Sequence, residues 1–166
     1  MKSLFKVLIV MSLVISCIQI KAQTLGEEKA VNEVIARLFK GMELGDSAMV
    51  HSAFYDKLAT MTPVSRDKNN NAILRRESVQ DFLNAVGKPH TEVWYEEIWN
   101  VKVQVDGDLA QAWCDYAFYI DKTYSHCGVD AFHLFKGKDG WKIFHIADTR
   151  RKTGCTIPKE IQDKHK

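Results

Sequence analysis

The sequence predicts an α+β domain whose N-terminal helices pack on one face of a curved antiparallel sheet. Hydrophobic residues recur with helical spacing up to about residue 87, and from Glu92 onward the period changes to two. All the helical signals precede the long strand signals instead of alternating with them, which argues against a parallel βαβ sheet. With 166 residues, 46% of them hydrophobic and 27% charged, the chain is long enough to bury a core.

Residues 27–44 place Val31, Val34, Ile35, Leu38, Phe39 and Met42 on one helical stripe, with charges on the other face. Gly45 ends this helix, and Asp46 caps a short second one reaching about Phe54. Residues 58–64 and 72–76 flank the polar run 65–71 and read as a small hairpin with an exposed loop. Ser78–Val86 forms a third helix, stopped by Gly87 and Pro89. Residues 92–105, 109–120, 126–136 and 141–150 then read as four long strands.

Charge and cysteine usage bound the setting. Three of the 23 basic residues fall in residues 1–22, which hold no acid, so the remainder carries a net charge of −1. Such a balance gives no basic groove for nucleic acid, and no nucleic-acid partner is expected. Met1–Lys6 is basic, Val7–Ile18 is apolar, and Ala22 is a small residue before Gln23, the pattern of a secretory signal peptide. The apolar run is shorter than the roughly 20 residues of a spanning helix. The expected layout is a signal peptide over 1–22 and a single domain over 23–166, exported to the periplasm or outside the cell, with no transmembrane span in the mature chain. The alternative is a lipoprotein anchored through Cys17, because Val14-Ile15-Ser16-Cys17 resembles a lipoprotein cleavage box.

Three cysteines lie beyond that segment. In an oxidising compartment they allow one bridge and one free thiol. The hairpin of the last two strands sets Cys127 near Arg150, and Gly154 allows the chain to fold back, so Cys127 and Cys155 are the expected pair and Cys114 the free one.

Register is the step that leads to a site. Val105-Asp106-Gly107-Asp108 reads as a two-residue hairpin, which sets Trp99 opposite Cys114 and Glu97 opposite Tyr116. Keeping apolar residues on one face then puts Cys114 beside Phe132, Tyr116 beside Asp130, and Phe132 beside His145. The resulting face grades from apolar (Val101, Ala112, Leu134, Ile143) to polar (Glu97, Tyr116, Asp130), as a deep pocket with a polar mouth requires.

Several strings in this half resemble a known family: Tyr116-Ala117-Phe118-Tyr119, His126-Cys127-Gly128-Val129-Asp130-Ala131-Phe132, Gly140-Trp141-Lys142-Ile143, and Asp148-Thr149-Arg150-Arg151 followed by Gly154-Cys155. They resemble the secreted bacterial branch of the nuclear transport factor 2-like superfamily, in the SnoaL-like group labelled putative lumazine-binding. The resemblance implies a cone-shaped, cystatin-like α+β fold around a small-molecule pocket, often dimeric through its sheet. It implies no particular reaction.

The candidate ligand-lining residues are Glu97, Trp99, Tyr116, Phe118, Asp130, Phe132 and His145. Among them Asp130, Tyr116 and His145 are candidates for acid–base chemistry: a carboxyl on an apolar wall has its pKa raised, a tyrosine donates to a developing oxyanion, and a histidine shuttles protons. The bland alternative pairs Asp130 with the Tyr116 hydroxyl as structure alone. No HxH or HxxxH spacing occurs, and His133 and His145 fall on opposite faces in this register, so no metal and no cofactor are expected. Arg150 and Arg151, at a strand end, could clamp an anion or bridge to nearby acids. Twelve of the 17 aromatic residues fall within 92–145, where sheet packing accounts for most of them.

The expected function is binding of an apolar or aromatic small molecule, without catalysis, in the cell envelope. The alternative is an isomerase- or dehydratase-type enzyme using Asp130, Tyr116 and His145. A homodimer is expected through the sheet face opposite the pocket, where Trp113, Tyr119, Val129, Phe135, Phe144 and Ile146 would otherwise form an exposed apolar patch.

Overall fold

A computed structural model describes residues 25–55 and 58–166. The signal-peptide and Cys17 expectations lie outside the described residues. Helix α1 (residues 25–44) buries Val31, Val34, Ile35, Leu38 and Met42, the stripe that the helical spacing selects. Gly45, at φ +64°, ends it. Asp46 then caps α2 (Ser47–Ala53) by accepting from the Met49 N–H at 2.9 Å. Gly41 is required where these helices meet, since a Cβ there would sit 2.7 Å from the Val50 Cγ2.

Strands β1 (Thr60–Arg66), β2 (Ala72–Leu74) and β3 (Glu77–Ser78) follow, then α3 (Val79–Gly87). The Ser78 hydroxyl caps α3 by accepting from the Asp81 N–H. The long strands are β4 (Trp94–Asp106), β5 (Leu109–Ile120), β6 (Thr123–Gly137) and β7 (Gly140–Thr149). They form an antiparallel meander, as the change of period requires.

Two features go beyond the sequence reading. β1 does more than pair with β2: it runs parallel to β7, giving the sheet order β2-β1-β7-β6-β5-β4. A terminal helix α4 (Lys159–Lys164) also packs on the sheet face opposite the other helices.

The main core lies between α1–α3 and the inner sheet face. At its far end Glu27, in the first turns of α1, accepts from Lys136 Nζ (2.5 Å) and Trp141 Nε1 (2.8 Å), tying the helix to the β6–β7 hairpin. On the outer face a smaller cluster joins Tyr95, Trp99, Ala117, Tyr119 and Cys127 to Cys155, Ile157 and Ile161. There the Cys127–Cys155 disulfide, with Cα atoms 6.4 Å apart, closes the C-terminal segment over the sheet, and Cys114 is the free, buried cysteine.

Candidate functional site

A cavity of about 520 Å³ opens between the helices and the inner face of the sheet. Its walls come from Leu38, Phe39 and Met42 of α1, Phe82 of α3, and Trp94, Phe118, Phe132 and Ile146 of the sheet. Phe39 meets Phe132 edge-on at 6.1 Å, and Trp94 meets Phe118 at 6.4 Å. The polar end holds Glu96, Asp130, Asp148, Arg150, Tyr116 and His126.

Two β-bulges decide which residues reach this cavity. The β4–β5 hairpin pairs Val103 with Ala112 and Val105 with Ala110, but the register shifts between Trp99 and Lys102. Asn100 takes φ +53° at that point, and beyond it the pairing becomes Ile98 with Tyr116 and Glu96 with Phe118. An extra residue reverses the facing of everything before it. Trp94 and Glu96 therefore face inward, and the expected Glu97 and Trp99 face out. Glu97 bridges to Lys164 (2.9 Å) and His165 (3.1 Å), and Trp99 packs against the outer cluster.

The second shift lies between His133 and Leu134, opposite Phe144. It pairs Phe132 with Ile146 and Asp130 with Asp148, so Ile146 and Asp148 enter the cavity and His145 leaves it. His145 instead hydrogen-bonds Thr60 Oγ1 (2.7 Å) and Thr62 Oγ1 (3.2 Å) on the outer face. It stacks on His133 there at 5.7 Å, so those two imidazoles share a face, contrary to the sequence register. Ile146, expected on the dimer face, is likewise moved inside. The structure brings Tyr116, Phe118, Asp130 and Phe132 together on the cavity wall; Glu97, Trp99 and His145 lie elsewhere.

Tyr116 does not pair with Asp130. Its strand partner is Gly128, and its hydroxyl donates across that glycine to the Thr149 carbonyl at 2.9 Å. A Cβ at Gly128 would collide with the Thr149 carbonyl oxygen and lie 2.8 Å from Tyr116 Cε1. Burial first, and the nearby carboxyls second, push the Tyr116 hydroxyl pKa up, so it stays protonated.

Asp130, 3% exposed, faces the Glu96 carboxyl and hydrogen-bonds with it. Burial raises Asp130 well above the carboxylate range, reinforced by Glu96 and Asp148, while burial and the charge of Asp148 push Glu96 up to about 7. A hydrogen bond between two carboxyls requires a proton on one of them. Arg150 is paired with two acids beside them: its Nε donates to Asp148 at 2.7 Å, and its Nη atoms reach Glu77 at 3.2 and 3.4 Å. Arg151 points the other way, toward Cys155 Sγ. Burial, then the charge of Arg150, lowers His126, which faces Tyr116 and Phe118 as a neutral ring at neutral pH. The arrangement can accept donors from a bound molecule, or exchange a proton with it, at the Glu96–Asp130 pair. Among the described residues, no group of three or more His, Cys, Asp or Glu side chains is arranged to hold a metal ion.

Sequence reasoning missed Glu96 and Trp94 because each sits one residue from an expected position across the Asn100 bulge. Asn100 was the available signal, since asparagine tolerates positive φ where other strand residues do not. No comparable mark precedes the bulge at Phe144.

Solved structures share this fold at low identity. A nuclear transport factor 2-like protein of unknown function from Shewanella baltica is 20% identical, with TM-score 0.57 over 78% of this chain and 97% of that one. A nuclear transport factor 2-like protein with a cystatin-like fold from Novosphingobium aromaticivorans is 12% identical, with TM-score 0.63 over 82% and 90%. A protein described as a putative scytalone dehydratase from the same species is 12% identical, with TM-score 0.59 over 81% and 91%. No curated protein matches the sequence. The family model described as "Putative lumazine-binding" matches residues 26–146, a span that holds nearly all of α1, the meander and the cavity walls, and the chain therefore belongs to that family.

Proposed function

We propose that this protein binds an apolar or aromatic small molecule in the inner cavity and does so outside the cytoplasm. The cavity carries the reading: about 520 Å³ of space, walled by aromatic and aliphatic side chains and ended by a few polar groups, is the form of a small-molecule site. The disulfide supports export, and among the described residues no helix is long and apolar enough to cross a membrane. Native mass spectrometry of protein purified from an exporting host is expected to show one small molecule per cavity. If the protein emerges empty and no aromatic compound from a broad library alters Trp94 fluorescence, the reading fails.

A second reading, proton transfer by the Glu96–Asp130 pair, is favoured by the adjoining of these two carboxyls at the polar end of the cavity. Glu96 is pushed to about 7, where a carboxyl serves as acid or base near neutral pH. One neighbour of the fold is described as a putative dehydratase, which fits such chemistry without establishing it here. For a compound found to turn over, Asp130→Asn and Glu96→Gln would each lower kcat by about 100-fold. Unchanged kcat in both variants would leave binding as the whole function.

A further inference from the structure

Building on the small-molecule reading of the cavity, we propose that its ligand carries a protonated amine, seated on Glu96 and Asp130 with its apolar body against Trp94, Phe118 and Phe132. The first support is charge. Five carboxyls border the cavity (Glu77, Asp81, Glu96, Asp130 and Asp148) against two guanidiniums, Arg76 and Arg150. Arg150 is largely engaged by Asp148 and Glu77, which offset its charge toward an anionic ligand. Arg76 is exposed at the rim.

The second support is an unmet hydrogen-bonding demand. Asp130 is almost wholly buried, and its Oδ2 has no partner. Among the described residues, no N–H or O–H donates to Glu96 or Asp130 other than the proton the two carboxyls share. A carboxyl pair that shares a proton still leaves two oxygens unengaged, Asp130 Oδ2 among them. The neighbours cannot meet that demand: the Tyr116 hydroxyl donates to Thr149, and Arg150 is engaged.

An ammonium brings up to three donors and the opposite charge, whereas an alcohol brings one donor and no charge. The third support is the wall itself. Aromatic faces attract a cation through their quadrupole, and more strongly where water is excluded. An anion would meet a negative site and aromatic faces together, and would be rejected by both.

Three probes with one body test this: 2-naphthylmethylamine, 2-naphthylmethanol and 2-naphthoate, titrated calorimetrically into the wild type and a Glu96→Gln/Asp130→Asn variant of confirmed fold. The amine is expected to bind the wild type about tenfold more tightly than the alcohol, with the carboxylate weakest. In the variant the amine-to-alcohol ratio is expected to collapse toward one. If the alcohol binds and the amine is no tighter, or the carboxylate is tightest, the amine proposal is overturned while the cavity remains a small-molecule site. An amine preference that survives in the variant also overturns it, by placing the cation elsewhere. If none of the three binds, the small-molecule reading falls and the amine proposal falls with it.

Discussion

Single residues decide how the cavity is built. Gly128 is the clearest case, because Tyr116 crosses it to reach Thr149 and leaves no room for a methyl group. Gly128→Ala is expected to cost about 1–3 kcal/mol, read from urea unfolding, since a backbone carbonyl rather than a flexible side chain must give way. Glu96 makes a second test, through pH. Its carboxyl titrates near 4 in the unfolded chain and is raised to about 7 in the native state. Between those values the native protein keeps a proton that the unfolded chain has released, so this group's contribution to stability falls as pH rises through that window. Glu96→Gln removes the term, so the variant's Tm is expected to gain on the wild type between about pH 5 and 7.5. A constant difference would show that Glu96 is solvated. Both residues could be read only in part from the sequence: the His-Cys-Gly string marks Gly128, whereas alternation alone points to Glu97 in place of Glu96.

At the scale of elements, period and capping made the fold legible, and the bulges hid part of the site. A change from helical to alternating spacing is a property of many residues and survives local error. The facing of one side chain depends on every inserted residue between it and the turn. Asn100 holds the first such insertion, at φ +53°, with its Nδ2 donating to Asp115 at 2.8 Å. Asn100→Val is expected to lose about 1–2 kcal/mol, because a β-branched side chain clashes in the left-handed region, while Asn100→Gly stays close to the wild type. Equal stability of the two would argue against the bulge. The C-terminal segment was legible through its cysteines, although α4 was not expected. The bridge spans 28 residues, so its removal by Cys127→Ser and Cys155→Ser together is expected to cost about 3–4 kcal/mol by loop entropy. Amide exchange should rise across Tyr95–Trp99 and Ala117–Tyr119, the strands that the C-terminal segment covers.

For the whole molecule, the question is what covers the rest of the outer sheet face. Tyr119 is already buried beneath the C-terminal segment, and Ile146 has turned into the cavity, so the apolar face is smaller than alternation implied. What remains is still substantial: Trp113 is 56% exposed, Leu109 54% and Phe135 38%, and the half-buried Phe144 lines a groove with the last two. That groove, lined by Tyr55, Leu58, Leu109, Phe135 and Phe144 with Asp106 and Asp108 at its edge, adjoins this surface. Exposed apolar side chains gathered on one sheet face often mark an interface, and a second copy burying roughly 800 Å² per partner would cover them. The protein is therefore expected to sediment as a dimer at micromolar concentration. Trp113 is the residue to change, because it is largely exposed on this face and lies outside both the main core and the disulfide-linked cluster. Trp113→Glu is expected to give a folded monomer with the wild-type circular dichroism spectrum, since a buried, unpaired carboxylate at the interface costs more than the contact returns. A wild-type monomer at that concentration, or a Trp113→Glu variant that remains dimeric, would show that the sheet face has no self-partner.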